Sequence, residues 1–178
     1  MSDYLSRVYE LIEKHRRQGV LIDTNLLILL LVGRFDSSQI TNFSNTSRYS
    51  ADDHALMEAF VENFDRIITT PTILAETNSL ANQLGKHLRP AFYTSFAMQL
   101  ILPQPQIPPQ FAEIYLPSAE IAELPAIAEL IQFGLTDTGI IRLSKSENYL
   151  VLTDDLKLSV QLESRGIDAL NFNHLRDY

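Results

Sequence analysis

The chain contains no cysteine. That excludes a disulfide framework, a thiolate zinc site and a cysteine nucleophile, and it suits a reducing compartment. Histidine is sparse: His15, His54, His87 and His174 are scattered, with no pair at metal-ligand spacing. Each reads as a surface or packing residue. Bases are in deficit, with 14 Lys and Arg against 22 Asp and Glu and a net charge of −8. The totals therefore announce no basic nucleic-acid-binding surface. An acidic chain can still act on nucleic acid when its acids gather around metal ions and its lysines lie on the rim. Long apolar runs are also missing. The strongest, residues 26–32, falls far short of the roughly 20 residues of a membrane span and reads as a buried helix. Residues 1–18 are polar with helical periodicity, unlike a signal peptide. The expectation is a soluble, cytoplasmic protein with no membrane partner. No internal repeat is visible.

What is present is a core-forming composition. Of 178 residues, 46% are hydrophobic and 20% charged, enough for one globular domain spanning residues 1–178. Tyr4, Leu5, Val8, Leu11 and Ile12 recur at helical spacing, and Gly19 is placed to end that helix. Residues 20–22 read as a buried strand. Asn25 is placed to cap a helix over 26–32, and Gly33 to end it. Residues 36–49, rich in Ser, Thr and Asn, read as a mobile loop. Ser50 and Asp53 form a capping-box pattern for a helix to about residue 63. A strand is expected at 66–69. A helix to about residue 84 follows, capped by Thr70 with Pro71 in its first turn. Further helices are expected over 90–101, 119–132, 137–146 and 156–164, with strands at 149–153 and 167–172. The segment 103–109 holds four prolines and cannot be regular. Alternating strands and helices predict an α/β fold, a three-layer α/β/α arrangement with a central parallel sheet.

The acids carry the chemistry. A short apolar run ends abruptly at Asp23, and a second ends at Asp154-Asp155. In a parallel sheet with one-handed crossovers, both tips fall on the same edge, with Thr70 and Thr153. Glu76 lies three positions after Ile73 and four before Leu80, on or beside the buried stripe of its helix. Asp137, with Ile140 and Ile141 following, faces inward at a helix start, where the dipole favours a carboxylate. Buried acids need a partner. Bases near them in sequence are few, apart from Arg142 and Lys157. A metal ion fits, and carboxylates without His or Cys select Mg2+ or Mn2+. Each acid alone has a plainer reading. Asp23 could cap a helix, Glu76 could be solvated, Asp137 could start a helix, and Asp154 or Asp155 could be a turn or cap residue.

Taken in order, four segments resemble the PIN-domain family of metal-dependent nucleases. They are Leu21-Ile22-Asp23-Thr24-Asn25, Thr70-Pro71-Thr72-Ile73-Leu74-Ala75-Glu76, Gly134-Leu135-Thr136-Asp137 and Leu152-Thr153-Asp154-Asp155 with Leu158. The resemblance covers nearly the whole chain. The stretch between Asp23 and Glu76 is longer than in compact members, and the proline-rich segment looks like an insertion. The resemblance implies endonucleolytic hydrolysis of single-stranded RNA with one or two Mg2+ or Mn2+ ions. Asp23, Glu76, Asp137 and Asp155 would be the metal ligands, since the family pattern favours Asp155. Asp154 would be an accessory or alternate ligand. Thr24, Asn25 and Thr153 would hydrogen-bond the ligating carboxylates or the phosphate, although Asn25 serves equally as a helix cap. Arg142, Lys145 and Lys157 form one candidate cluster for the RNA backbone. Lys86, His87 and Arg89 form another. Tyr93 and Phe96 could stack on bases, but their helical spacing favours packing.

Small stand-alone members of that family also resemble toxins held by an antitoxin-type inhibitor protein. A homodimer through apolar helices at 26–32 and 92–101 is a further implied partner. Two alternatives stand beside the nuclease. A haloacid-dehalogenase-type phosphatase needs a second Asp two residues after the first, where this chain has Asn25. A non-catalytic PIN-like binding or scaffold module would keep its binding function after loss of Glu76.

Overall fold

The computed structural model describes residues 3–101, 110–121 and 127–177. The chain forms helix α1 (Asp3–His15), strand β1 (Val20–Ile22), helices α2 (Thr24–Phe35), α3 (Gln39–Asn42) and α4 (Ala51–Val61), and strand β2 (Arg66–Thr69). Helices α5 (Pro71–Ala81) and α6 (Arg89–Ile101) follow, then strand β3 (Gln110–Glu113) and helices α7 (Ser118–Ile121) and α8 (Ile127–Glu147). The C-terminal part contains β4 (Leu150–Thr153), α9 (Leu156–Ser164), β5 (Ala169–Asn171) and α10 (Phe172–Arg176). The five strands make one parallel sheet in the order β3-β2-β1-β4-β5, flanked by helices in a three-layer α/β/α arrangement. In register, Leu21 opposes Ile68 on one side and Val151 on the other. The chain moves outward from β1 through β2 to β3, then returns to the other side of β1 for β4 and β5. The reversal between β1 and β4 is the switch point of the sheet, where open α/β folds leave a crevice at the strand C-termini.

The strands at the centre need no alternation of polar and apolar residues, because both faces are covered. Val20, Leu21, Ile22, Leu150, Val151 and Leu152 are all inaccessible to solvent. Helix α2 shows the same logic. Leu26 through Gly33 are buried on every side, and the helix contacts α3, α4, α5, α6 and β4. Residues 26–32 are therefore interior and offer no surface for a homodimer.

Several expectations are corrected. Asp23 caps α2, not Asn25, because its carboxylate Oδ1 reaches the Leu26 N–H at 2.9 Å. Gly33 does not end α2, which runs two residues further; the glycine is there for a close approach. A Cβ at Gly33 would lie 2.0 Å from His54 Cδ2. Segment 36–49 is neither irregular throughout nor loose. It contains α3, buries Ile40, Phe43, Thr46 and Tyr49, and is tied by Thr46 Oγ1 donating to the Ile40 carbonyl at 2.7 Å. Helix α5 stops at Ala81 rather than near 84. Strand β3 has no β-branched residue and pairs only with β2, so its sequence carries no strand signal. Helix α10 begins at Phe172, inside the expected last strand, once the Asn171 side chain accepts from the Asn173 N–H. Within α8 the break falls at Gly134, with φ 78° and ψ −178°, a conformation open to glycine alone. The expected helices at 119–132 and 137–146 thus become α7 and two arms of α8. The proline-rich 103–109 and Pro125 lie outside the described residues.

The capping box at Ser50 and Asp53 forms as expected, and Thr70 caps α5 with Pro71 in the first turn. At the far end of α2, Arg34 donates to both Glu58 oxygens, at 2.6 and 2.9 Å. His54 stands 3.4 Å from the same carboxylate.

Gly33→Ala tests the close approach. Alanine gains about 1 kcal/mol over glycine in a helix, but overpacking against the His54 ring costs about 1–3 kcal/mol. Urea unfolding is expected to show net destabilisation. A variant as stable as the parent would mean that His54 swings aside freely.

Candidate functional site

Where β1 ends, the chain turns directly into α2, and Asp23 occupies the turn in an extended conformation, φ −72° and ψ 171°. Its N–H donates to the Leu152 carbonyl at 3.2 Å, joining the tip of β1 to β4. Its side chain reaches back across the switch point. Oδ2 accepts the Thr153 hydroxyl and, at 3.1 Å, the Asp154 N–H. Asp23 is only 5% exposed. Burial, and then the nearby Asp154 charge, push its carboxyl up to about 7, against the donors that favour the ion.

The other acids line the same edge. The buried stripe of α5 is Ile73, Thr77 and Ala81, so Glu76 flanks it and is exposed rather than inward. Its carboxylate is nevertheless fixed. The Thr24 hydroxyl donates to Oε2 at 2.9 Å and the Thr136 hydroxyl to Oε1 at 2.8 Å. Asp137 follows the Gly134 kink and is partly buried. Among the described residues nothing donates a hydrogen bond to its carboxyl. Burial, then the charges of Asp155 and Glu76, push it up to about 6, with Lys157 opposing. Asp155 and Glu76 therefore each stand close enough to Asp137 for their charges to act on it. Asp155 is exposed and caps α9, Oδ1 accepting from the Lys157 and Leu158 N–H groups at 2.7 and 3.1 Å. The Asp155 N–H in turn donates to Thr153 Oγ1 at 3.0 Å.

Asp154 is held differently. Its carboxylate accepts Asn25 Nδ2 at 3.1 Å and the Tyr49 hydroxyl at 2.6 Å, and it pairs with Arg48 at 2.6 Å. Burial and the Asp154 charge keep the Tyr49 phenol protonated well past its ordinary range. The apparent shortage of bases near the acids held only along the sequence, for Arg48 arrives from segment 36–49. Nothing in the sequence marked Arg48 or Tyr49 as site residues, because both are recruited by packing, and Thr136, although inside the third resembling segment, had no role until the structure set it on Glu76. Asn25 serves as a clasp on Asp154.

The cations divide. Lys157 stands by the acids, its Nζ 2.8 Å from the Gln132 carbonyl and 4.7 Å from the centre of the Phe133 ring. Arg142 and Lys145 lie further along α8, in a separate cavity of about 520 Å³ shared with Leu116, Glu129 and Arg165. Arg89 is structural, donating to the Leu84 carbonyl at 2.9 Å. Tyr93 and Phe96 pack against Phe92, as their spacing favoured.

Among the described residues, no group of three or more acidic or histidine side chains stands arranged to hold one metal ion. Thr24 and Thr136 hold Glu76 in place, and three donors hold Asp23. The donor chemistry does fit a hard divalent cation. Every candidate donor atom is a carboxylate oxygen, Asp155 and Glu76 both act on Asp137, and among the described residues the Asp137 carboxyl lacks a donor. No protein-family model, curated protein or solved structure matches the chain.

Both raised carboxyls imply a pH trend. A free aspartate has a value of 3.8, so the folded protein holds extra protons as pH rises from there to about 6 at Asp137 and about 7 at Asp23. Their stabilising contribution is full below about 4 and lost as pH rises through about 7. In EDTA, Tm is expected to fall between pH 5 and pH 8 by about 2 °C or more, the shift that 1 kcal/mol gives in a domain of this size. Asp23→Asn is expected to flatten the trend. A trend unchanged in that variant would place its source elsewhere.

Proposed function

We propose that this chain is a Mg2+- or Mn2+-dependent endoribonuclease that hydrolyses phosphodiester bonds of single-stranded RNA, as its resemblance to the PIN-domain family implies. The observation that carries the reading is Asp137, a partly buried carboxyl with no hydrogen-bond donor among the described residues, flanked by Glu76 and Asp155 on the sheet edge that also holds buried Asp23. Among the described residues, Lys157 is the cation that relieves Asp137. Such a group is unfavourable without a counter-charge. Asp23, Glu76, Asp137 and Asp155 would hold the cation. When bound, it would supply an activated water and charge stabilisation at the phosphate.

The remaining roles belong to the chain itself. Thr24 and Thr136 fix the direction of the Glu76 carboxylate. Thr153 orients Asp23 and receives the Asp155 N–H. Asn25 restrains Asp154, which acts as an accessory acid. Lys157 meets the phosphate on the rim. By analogy with small stand-alone PIN proteins, the biological setting is the toxin half of a toxin–antitoxin pair. A neighbouring gene for a small DNA-binding protein would support that setting.

The spread of the acids favours one other reading, a non-catalytic binding module. Labelled single-stranded RNAs with Mg2+, Mn2+ or EDTA separate the two. The nuclease reading expects metal-dependent cleavage that falls more than about 100-fold in Asp23→Asn, beyond the usual effect of residues that merely support ligands. Cleavage that survives in the variant, or none in the parent, removes it. Binding that persists in Glu76→Gln without any cleavage favours the module.

Asp155 has two separable roles. Asp155→Asn keeps a capping oxygen, whereas Asp155→Ala loses about 1 kcal/mol of helix capping. Both are expected to lose cleavage, and only the alanine variant to lose stability in urea. Full activity in Asp155→Asn would reduce the residue to a cap.

A further inference from the structure

A second polar feature adjoins the acids on the side away from Lys157. The segment after α3 delivers Arg48 and Tyr49 to the sheet edge, and α10 stands opposite with Asn173 and Arg176. Between them is a cleft of about 570 Å³, lined by Arg48, Tyr49, Ser50, Asp53, Asn173 and Arg176, with Asp177 at the end of α10. The volume is within the range of ligand sites.

Both guanidinium groups lie against the Tyr49 ring, Arg48 at 5.0 Å and Arg176 at 5.6 Å from its centre. Each is oriented by a carboxylate. Arg176 donates to both oxygens of Asp53 at 2.7 and 3.0 Å, and Arg48 lies 2.6 Å from Asp154. Arg48 is 53% exposed, so much of its planar fork faces solvent. Arg176 Nη1 also donates to Asn173 Oδ1 at 3.4 Å, which leaves one N–H on each of its terminal nitrogens, a pair that suits two oxygens of a phosphate group. The acids of the lining, Asp53 and Asp177, keep the net field low, so any anion is held by hydrogen-bond geometry more than by bulk charge. The cleft is continuous with the acidic edge through Asp154, whose carboxylate binds Arg48 and Tyr49 and whose carbonyl accepts Asn173 Nδ2 at 2.9 Å. The Tyr49 ring is itself buried, 2% exposed, and offers bases no stacking surface.

We propose that this cleft holds the sugar-phosphate backbone of a single-stranded nucleic acid, with Arg48 and Arg176 each contacting a phosphate and the strand continuing past Asp154 to the acids. The identity of the ligand rests on the nuclease reading; the site itself rests on the cleft. Recognition there is of backbone, without base preference, because among the described residues the lining has no exposed ring and one amide, Asn173, whose Nδ2 is taken by the Asp154 carbonyl.

Binding of a fluorescein-labelled single-stranded RNA, followed by anisotropy at several salt concentrations, tests this. The parent for these measurements is Asp23→Asn with Mg2+ present, so that the strand stays intact. Arg48→Gln and Arg176→Gln are each expected to weaken binding about five- to tenfold. Each should reduce the slope of log affinity against log salt by about 0.7, the value for one lost phosphate contact. Arg7→Gln makes the same charge change at an exposed pair with Glu163 and is expected to alter neither. Arg176 also anchors Asp53, so Arg48→Gln decides if the Arg176 variant is unfolded by circular dichroism. Parent-like affinity and slope in Arg48→Gln, with metal-dependent cleavage intact in the wild type, overturns the cleft and leaves the nuclease. Inorganic phosphate that displaces the strand at phosphate concentrations equal to the strand's own also overturns it, since a small-anion site would then suffice. Absence of both binding and cleavage overturns both readings together.

Discussion

Asp23 ties three parts of the chain together while buried. One oxygen caps α2 through the Leu26 N–H, and the other takes the Thr153 hydroxyl and the Asp154 N–H across the gap between β1 and β4. A carboxylate out of water is tolerated only when donors surround it. Here they do, yet burial and the Asp154 charge still push its proton affinity up. The fold therefore holds a charge that is only partly satisfied at the point where its sheet changes direction. Two neighbours on the acidic edge are tied to that residue: Thr153 links it to Asp155, and Asp154 links it to segment 36–49.

The edge could not be so acidic without the interior beneath it. Helix α2 is apolar on every side and is enclosed by α3, α4, α5 and α6. Its burial fixes the direction in which Thr24 and Asn25 leave the first turn, toward Glu76 and Asp154 respectively. Segment 36–49 then covers the helix and closes on the site with Arg48 and Tyr49. A polar stretch thus becomes an ordered wall, because Ile40, Phe43 and Tyr49 are buried among it. The acids split into two sets as a result. Asp154 is paired with Arg48 and hydrogen-bonded by Tyr49 and Asn25, whereas Asp137 has only the charges of Glu76 and Asp155 and, opposing them, Lys157.

Much of the fold was legible along the chain. The boundaries of β2 and α9 follow the sequence pattern to the residue, and the Ser50–Asp53 and Thr70–Pro71 signals mark the starts of α4 and α5. These features depend on contacts within a few residues. Strand β3 was invisible because its pairing with β2 is non-local and its residues have weak strand preference. The need for glycine at position 33 comes from the close approach of His54, which is remote in sequence. In the site, the acids at the strand tips were readable, since an apolar run that stops at a carboxylate is a local signal. Glu76 lies beside the buried stripe, within the placement its spacing allowed, but helical spacing did not reveal that it is exposed.

The sequence by itself determined most of the element types, the parallel sheet and the placing of Asp23, Asp154 and Asp155 on one edge. Hydrophobic period, caps and the one-handed crossover of parallel strands suffice for that, whereas the strand order came from the tertiary structure. Only the tertiary structure decided which side chain answers which. It gave Asp154 to Arg48, Tyr49 and Asn25, gave Glu76 to Thr24 and Thr136, and left Asp137 without a donor among the described residues. Those outcomes depend on distances between segments far apart in the chain, and local patterns do not encode such distances.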